Sequence, residues 1–181
     1  MLSDTLKKIR DFADEAHGSQ LRKYSGERYI NHPLRVMETV RQHRDDLPLL
    51  AAALLHDVLE DTETTRQEIM SFLNSVVDGS QAQKTMQLVE ELTDVYEKKH
   101  YPQWNRKKRK QMETERLAKV SGDAQTVKYA DILDDSQDIL ANDPGFGKRY
   151  AWECLGMLSV MKEGDAALRQ KALEAVKLSK P

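Results

Sequence analysis

Apolar residues recur at helical spacing along most of this 181-residue chain, and that spacing is the feature that most restricts its fold. Leu2, Leu6, Ile9 and Ala13, for example, would share one face of a helix. No stretch alternates apolar and polar residues with the period of two that strands require. The 8 glycines and 5 prolines fall mainly between the helical segments. The sequence therefore predicts an all-α fold, built as a compact helical bundle.

The helices are separated by short connections and by two longer loops. The predicted helices span residues 3–17, 32–44, 48–60, 65–76, 80–93, 104–120, 122–141, 147–162 and 165–178. The loops at 18–30 and 94–103 are rich in basic and aromatic residues, as binding loops are, although solvated connectors have the same composition. A chain of this length is expected to form a single domain over 1–181.

Charge and hydropathy exclude several classes of partner. Lys and Arg number 28 against 30 Asp and Glu, so we expect neither a nucleic-acid partner nor a polybasic membrane anchor. No apolar run approaches the roughly 18 to 20 residues that span a bilayer, and the amino end carries no signal-peptide core. We expect a cytoplasmic protein whose oligomeric state is left open. Cys154 cannot form an internal disulfide, and its surroundings predict a packed helix.

The segment 49–62 carries the strongest chemical signal. A wholly apolar run there ends in four ionisable residues, which are His56, Asp57, Glu60 and Asp61. In a continuous helix they fall at about 0, 100, 40 and 140 degrees, on one side. Carboxylates crowded at a helix C-terminus repel each other and oppose the helix dipole, and a bound cation would reverse both effects. The alternative is that Glu60 and Asp61 simply face water.

Two other residues stand in comparable positions. His32 precedes Pro33 at a predicted helix start, and Asp131 lies midway along an otherwise apolar helix face. Each has an ordinary interpretation as well, with His32 as a helix cap and Asp131 as an acid on a solvated face.

The combination of His32, His56-Asp57 and Asp131 resembles the H...HD...D signature of HD-superfamily metal-dependent phosphohydrolases. The longer segment His56-Asp57-Val-Leu-Glu-Asp61, with segments 22–33, 89–93 and 127–131, is similar to the hydrolase domain of RelA/SpoT-type alarmone enzymes and their small stand-alone relatives. The similarity extends over roughly residues 5 to 170. It implies an HD-domain helical bundle.

The resemblance also implies roles for individual residues. The implied metal ligands are His32, His56, Asp57 and Asp131. Glu60 and Asp61 would position and activate the attacking water, and Arg22 and Lys23 would bind the nucleotide. In this family the water cleaves the 3′-pyrophosphate of ppGpp or pppGpp, releasing pyrophosphate and GDP or GTP. Two imidazoles and two carboxylates suit Mn, Fe, Co or Zn, and the resemblance favours Mn²⁺.

One segment departs from the family pattern. Four residues after the metal-binding aspartate the family carries Asn, followed two positions later by Arg, whereas this chain has Asp135 and Gln137. Asp135 is one helical turn from Asp131, so we expect it to face the same pocket and to contact the substrate. Its negative charge would repel phosphate, unless it binds a second cation or recognises a different sugar or base.

The basic run over residues 105–110 has two interpretations. It forms either a solvated helix face or a basic rim to the acidic pocket.

Two classes of function follow from these residues. The first is a metal-dependent phosphohydrolase acting on ppGpp, or else on a nucleoside triphosphate or a phosphorylated dinucleotide such as NADPH. The second is a nucleotide-sensing module that has lost turnover. The intact Glu60 and Asp61 pair favours the enzyme.

Overall fold

The computed structural model describes residues 2–177, and this part of the chain is helical. The helices are α1 (Asp4–His17), α2 (Asn31–Arg41), α3 (Leu47–Leu55), α4 (Val58–Asp61), α5 (Arg66–Val76), α6 (Gly79–Leu92), α7 (Arg106–Leu117), α8 (Gly122–Asn142), α9 (Pro144–Val160) and α10 (Ala166–Lys177). Within the described range, residues pair in β fashion only at the isolated bridge between Leu21 and Arg28. The predicted all-α fold is confirmed.

The chain divides into two compact units, one ending at Thr93 and one beginning at Asp94. The first contains α1 to α6, and α3 packs against α1, α2 and α6. The side chain of Asp46 caps α3, and every residue from Leu49 to Leu55 is buried. A helix that is apolar on all sides needs such a central position. The prediction of a single domain over 1–181 stays a prediction.

The helix predicted over 48–60 is wrong in one respect, because it breaks at His56 and Asp57. α3 ends at Leu55, Asp57 has φ −95° and ψ −11°, and the short helix α4 begins at Val58. The Nδ1 atom of His56 lies 2.9 Å from the carbonyl oxygen of Ala53. In a continuous helix that carbonyl accepts the backbone N–H of residue 57. The four ionisable residues therefore lie on a turn and a separate helix.

The loop between α1 and α2 is more regular than predicted. The backbone N–H of Arg22 donates to Glu27 at 2.8 Å, and that of Tyr29 donates to Gln20 at 3.1 Å. Gly26 has φ +71°, a conformation that glycine adopts at little cost. Residues 20–29 thus form a small hairpin, which we call the Arg22 hairpin.

The second unit contains α7 to α10, in which α8 packs against α9 and α10. Ser121 caps the start of α8, and the hydroxyl of Tyr129 donates to the Met161 carbonyl oxygen at 2.9 Å. A Cβ atom on Gly164 would lie 2.6 Å from the Tyr129 ring, so this close approach requires glycine. These contacts fix α8, the helix that carries Asp131.

The helices also bear on two sequence predictions, which concern a membrane span and the packing of Cys154. Among residues 2–177, no helix has both the length and the apolar character that a membrane span needs. Cys154 is buried in α9, and burial raises the pKa of its thiol to about 12. This agrees with the packed position expected for that cysteine.

Candidate metal and catalytic site

Three of the four predicted metal ligands meet in the first unit. His32 comes from the first turn of α2, and His56 and Asp57 come from the break between α3 and α4. The Oδ2 atom of Asp57 lies 3.5 Å from Nε2 of His32 and 3.2 Å from Nε2 of His56. Both histidines are almost fully buried, with 1% and 3% of their surface exposed. The alternative interpretation of His32 as a helix cap is wrong, since α2 begins at Asn31 and Ile30 is its cap.

The chemistry of this cluster fits a divalent cation. Ligands about 2.1 Å from a common ion lie roughly 3.0 to 3.5 Å apart, which matches the spacing of these atoms. Because a carbonyl oxygen only accepts, His56 Nδ1 carries the proton that it donates to Ala53, and Nε2 presents its lone pair. His56 is therefore held in the tautomer that binds metal through Nε2. The cluster is able to hold a divalent metal ion.

A tyrosine lies at the centre of the contacts around Asp57. The Tyr29 hydroxyl is 2.8 Å from Oδ2 of Asp57 and 2.7 Å from Oδ2 of Asp61. Burial and the charges of these two carboxylates raise the pKa of Tyr29, so its hydroxyl stays protonated and donates. The ring of Tyr29 stacks on His17 at 4.3 Å and meets His32 edge-on at 6.1 Å.

The two predicted catalytic acids both lie on α4. Asp61 is at the surface of the chain, yet desolvation of its carboxyl and the charge of Asp57 raise its pKa. Glu60 is half-buried beside it in sequence. A cleft of about 490 Å³, lined by polar residues that include His17 and Asp61, opens next to this helix. The structure thus places a carboxylate of the predicted catalytic pair at a solvent-filled cleft.

The Arg22 hairpin carries the two predicted phosphate-binding cations. The guanidinium of Arg22 lies 5.7 Å from the centre of the Tyr29 ring, which brings it toward the cluster. Lys23 is exposed, and its Nζ atom lies 3.3 Å from the Tyr24 hydroxyl. Arg22 and Lys23 thus differ in surroundings, although they are adjacent in sequence.

The remaining predicted residues lie on α8 of the second unit. Asp131 is buried and forms an ion pair with Lys128 at 2.8 Å. One carboxylate oxygen of Asp131 lies within 4.8 Å of one of Asp135, so the two side chains share a face of α8. The Tyr150 hydroxyl approaches Oδ2 of Asp135 at 3.4 Å. Gln137, the other departure from the family pattern, is exposed.

A family model for the HD domain matches residues 10–158. The chain belongs to the HD domain family. The matched range includes His32, His56, Asp57 and Asp131. The predicted resemblance and the HD-domain fold are both confirmed.

Relatives of this HD-domain chain carry a specific enzymatic name. The mouse protein guanosine-3′,5′-bis(diphosphate) 3′-pyrophosphohydrolase MESH1 is 33% identical over 176 residues, covering 95% of this chain and 90% of the mouse protein. The human protein of the same name is 32% identical with the same coverage.

Two solved structures are similar to this HD-domain chain. One is a metazoan ortholog of SpoT that hydrolyses ppGpp, with a TM-score of 0.80, 26% identity and coverage of 98% and 97% of the two chains. The other, lmo0812 of Listeria monocytogenes EGD-e, has a TM-score of 0.63 at 23% identity, covers 86% of this chain and 98% of its own, and supports the fold alone.

Residue spacing indicated no role for Tyr29 or His17, both of which contribute to the site. Tyr29 lies within the segment 22–33 that carries the resemblance, three residues before His32. Nothing in the residue spacing indicates that its hydroxyl meets two carboxylates from α4 and the preceding turn. His17 ends α1, and its ring position depends on packing against the Arg22 hairpin.

Proposed function

We propose that this HD-domain protein is a metal-dependent hydrolase that removes the 3′-pyrophosphate of ppGpp, giving GDP and pyrophosphate. The observation that carries the proposal is the likeness, over 95% of the chain, to hydrolases named for this reaction. The buried histidine and aspartate cluster supplies the chemical reason, because it can hold the metal that such a reaction uses.

The proposed ligands are His32, His56, Asp57 and Asp131, and the proposed metal is Mn²⁺. The first three are supported by their mutual distances and burial. Asp131 is proposed on the sequence resemblance, and the metal identity rests on the same resemblance. When bound, such an ion supplies Lewis-acid chemistry, lowering the pKa of water and polarising a phosphoryl oxygen.

The carboxylates of α4 would activate and orient the attacking water. Its oxygen bonds to the phosphorus that carries the ribose 3′-oxygen, while the bond between that phosphorus and the 3′-oxygen breaks. Glu60 accepts the proton that the water loses, and Asp61 orients the water. The 3′-oxygen takes up a proton and leaves as the 3′-hydroxyl of GDP, and the pyrophosphate carries the oxygen that came from water.

The phosphates of the substrate need cations from the protein. Arg22 and Lys23 are proposed to supply them, since the Arg22 hairpin carries both and brings the Arg22 guanidinium toward Tyr29 and the cluster. Asp135 is proposed to contact the nucleoside part of the substrate. The Tyr150 hydroxyl lies 3.4 Å from Oδ2 of Asp135, and a carboxylate has lone pairs left to accept a further hydrogen bond from a sugar hydroxyl or a base.

A second candidate is an HD-type hydrolase for another nucleotide. The observation that favours it is the pair Asp135 and Gln137, which replaces an amide and a cation of the family pattern. A nucleoside triphosphate or a phosphorylated dinucleotide such as NADPH would then be the substrate, with the metal chemistry unchanged.

The experiment is a parallel assay of ppGpp, GTP, dATP and NADPH. The purified protein is stripped of metal, restored with Mn²⁺ or left stripped, and the products are separated. We expect GDP and pyrophosphate from ppGpp at a kcat/KM at least tenfold above the other three, and only with Mn²⁺.

Preference for another nucleotide would reject the alarmone as substrate and retain the metal mechanism. Tight nucleotide binding without turnover of any of the four would reject the enzyme and favour the nucleotide-sensing module.

A further inference from the structure

We propose that Tyr29 is a positioning residue, whose single hydroxyl holds the metal-binding carboxylate of Asp57 and the water-orienting carboxylate of Asp61 together. This inference rests on the proposed function, because it assigns those two roles to the aspartates. Tyr29 would then belong to the site without binding the metal and without transferring a proton in the reaction.

The hydroxyl of Tyr29 lies between the two carboxylates. The Tyr29 oxygen lies 2.8 Å from Asp57 Oδ2 and 2.7 Å from Asp61 Oδ2, both within ordinary hydrogen-bond length. A phenol has one donor hydrogen, so the two carboxylates share it. The hydroxyl therefore bridges them directly.

The shared hydroxyl also acts on the electrostatic repulsion between the two aspartates. Asp57 and Asp61 would otherwise repel each other across a short gap, and Asp61 lies at the edge of a solvent-filled cleft into which its side chain could turn. A shared donor offsets this repulsion and fixes the distance between the two carboxylates. The Oδ2 atom of Asp57 that Tyr29 contacts is also the atom nearest both imidazoles. Tyr29 thus sets the orientation of the oxygen that faces the metal position.

Tyr29 is itself held rigidly by its backbone and its ring. Its backbone N–H donates to Gln20 at 3.1 Å, and its carbonyl accepts from the His32 N–H at 3.0 Å. Its ring is stacked on the buried ring of His17, whose Nδ1 atom lies 3.0 Å from the side-chain oxygen of Gln20. Because the backbone and the ring of Tyr29 are both held in place, its hydroxyl is preorganised and can position other groups.

The test is Tyr29→Phe, which keeps the ring stacking and removes the hydroxyl. We expect the affinity for Mn²⁺, measured by calorimetry without substrate, to fall about tenfold to a hundredfold, as for lost partners of metal ligands. The kcat for ppGpp should fall by a similar factor while KM changes less than about twofold. Tyr101→Phe, in the aromatic cluster of the second unit, is the matched control and should change none of these quantities.

A double-mutant cycle separates positioning from a general loss of structure. In the Asp61→Asn background the repulsion between the carboxylates is absent, so Tyr29→Phe should cost less Mn²⁺ affinity than in the wild type. Thermal unfolding of all four proteins verifies that each corner of the cycle is folded. Equal losses in both backgrounds, or unchanged Mn²⁺ affinity in a folded Tyr29→Phe protein, would overturn the proposal. Because Mn²⁺ binding is measured without ppGpp, this outcome is distinct from failure of the proposed substrate.

Discussion

At the scale of single residues, the cluster depends on how one imidazole is oriented. The carbonyl of Ala53 fixes the proton on Nδ1 of His56, which directs Nε2 toward Asp57. Sequence spacing could identify His56 and Asp57 as chemically important, because ionisable residues at the end of an apolar helix are unfavourable unless they bind a partner. It could not identify Tyr29, because the contact of its hydroxyl with Asp61 depends on how the Arg22 hairpin folds against α4.

Two substitutions should separate metal binding from chemistry. His56→Ala removes a proposed ligand and should abolish both Mn²⁺ binding and hydrolysis, whereas Glu60→Gln should retain Mn²⁺ and lower kcat by about 10² to 10⁴. Calorimetry and product assays measure the two effects on the same preparations. The exposed His100→Ala serves as control. Hydrolysis by Glu60→Gln at the wild-type rate would show that its assigned role is wrong.

At the scale of elements, periodicity predicted most helices closely, since their apolar faces and caps are local features. It failed after Leu55, because the helical spacing resumes at Val58 and Leu59 although the backbone turns at His56 and Asp57. It also missed the Arg22 hairpin, whose paired segments are too short to show alternation. The hairpin is fastened to α2 by Glu27, which accepts hydrogen bonds from Asn31 at 3.0 Å and from Arg35 at 2.7 Å.

Loosening this attachment should weaken substrate binding noticeably while lowering the stability of the fold only slightly. Glu27→Ala removes a partly exposed ion pair, worth up to about 1 kcal/mol, so we expect KM for ppGpp to rise up to about fivefold with kcat nearly unchanged. Steady-state kinetics and thermal unfolding measure the two effects. Glu90→Ala, which removes another exposed ion pair, is the control and should leave KM unchanged. A fall in kcat with constant KM would mean that the Arg22 hairpin serves the chemical step instead.

At the scale of the whole molecule, the near-balance of charge conceals local groups of charges that stabilise each unit. At the start of the second unit, Asp94 lies 3.1 Å from Lys110 and feels the charge of Lys128. Burial alone would raise the pKa of Asp94, but the two lysines outweigh it and lower the pKa. Composition predicted a heavily charged protein, and it could not predict such pairing because the partners are distant in sequence.

This group predicts how stability depends on pH. Because the folded-state pKa of Asp94 lies below its unfolded value of about 4, its contribution is present above that value and is lost as the pH falls further. Asp94→Asn should therefore lower the free energy of unfolding at pH 7, and this difference should shrink as the pH falls below about 4. Urea unfolding at pH 7 and at a pH below about 4 measures this difference, with the exposed Asp45→Asn as control. An equal cost at both pH values would contradict the ionic origin.

The most direct test of the account is hydrolysis of ppGpp in ¹⁸O-water, with products analysed by mass spectrometry. The metal-restored protein should give GDP and pyrophosphate in equal amounts, with the label in pyrophosphate, and the metal-stripped protein should give neither. Release of orthophosphate or label in GDP would contradict the proposed cleavage between phosphorus and the 3′-oxygen. Equal turnover without metal would contradict the proposal that His32, His56 and Asp57 hold a metal for this reaction.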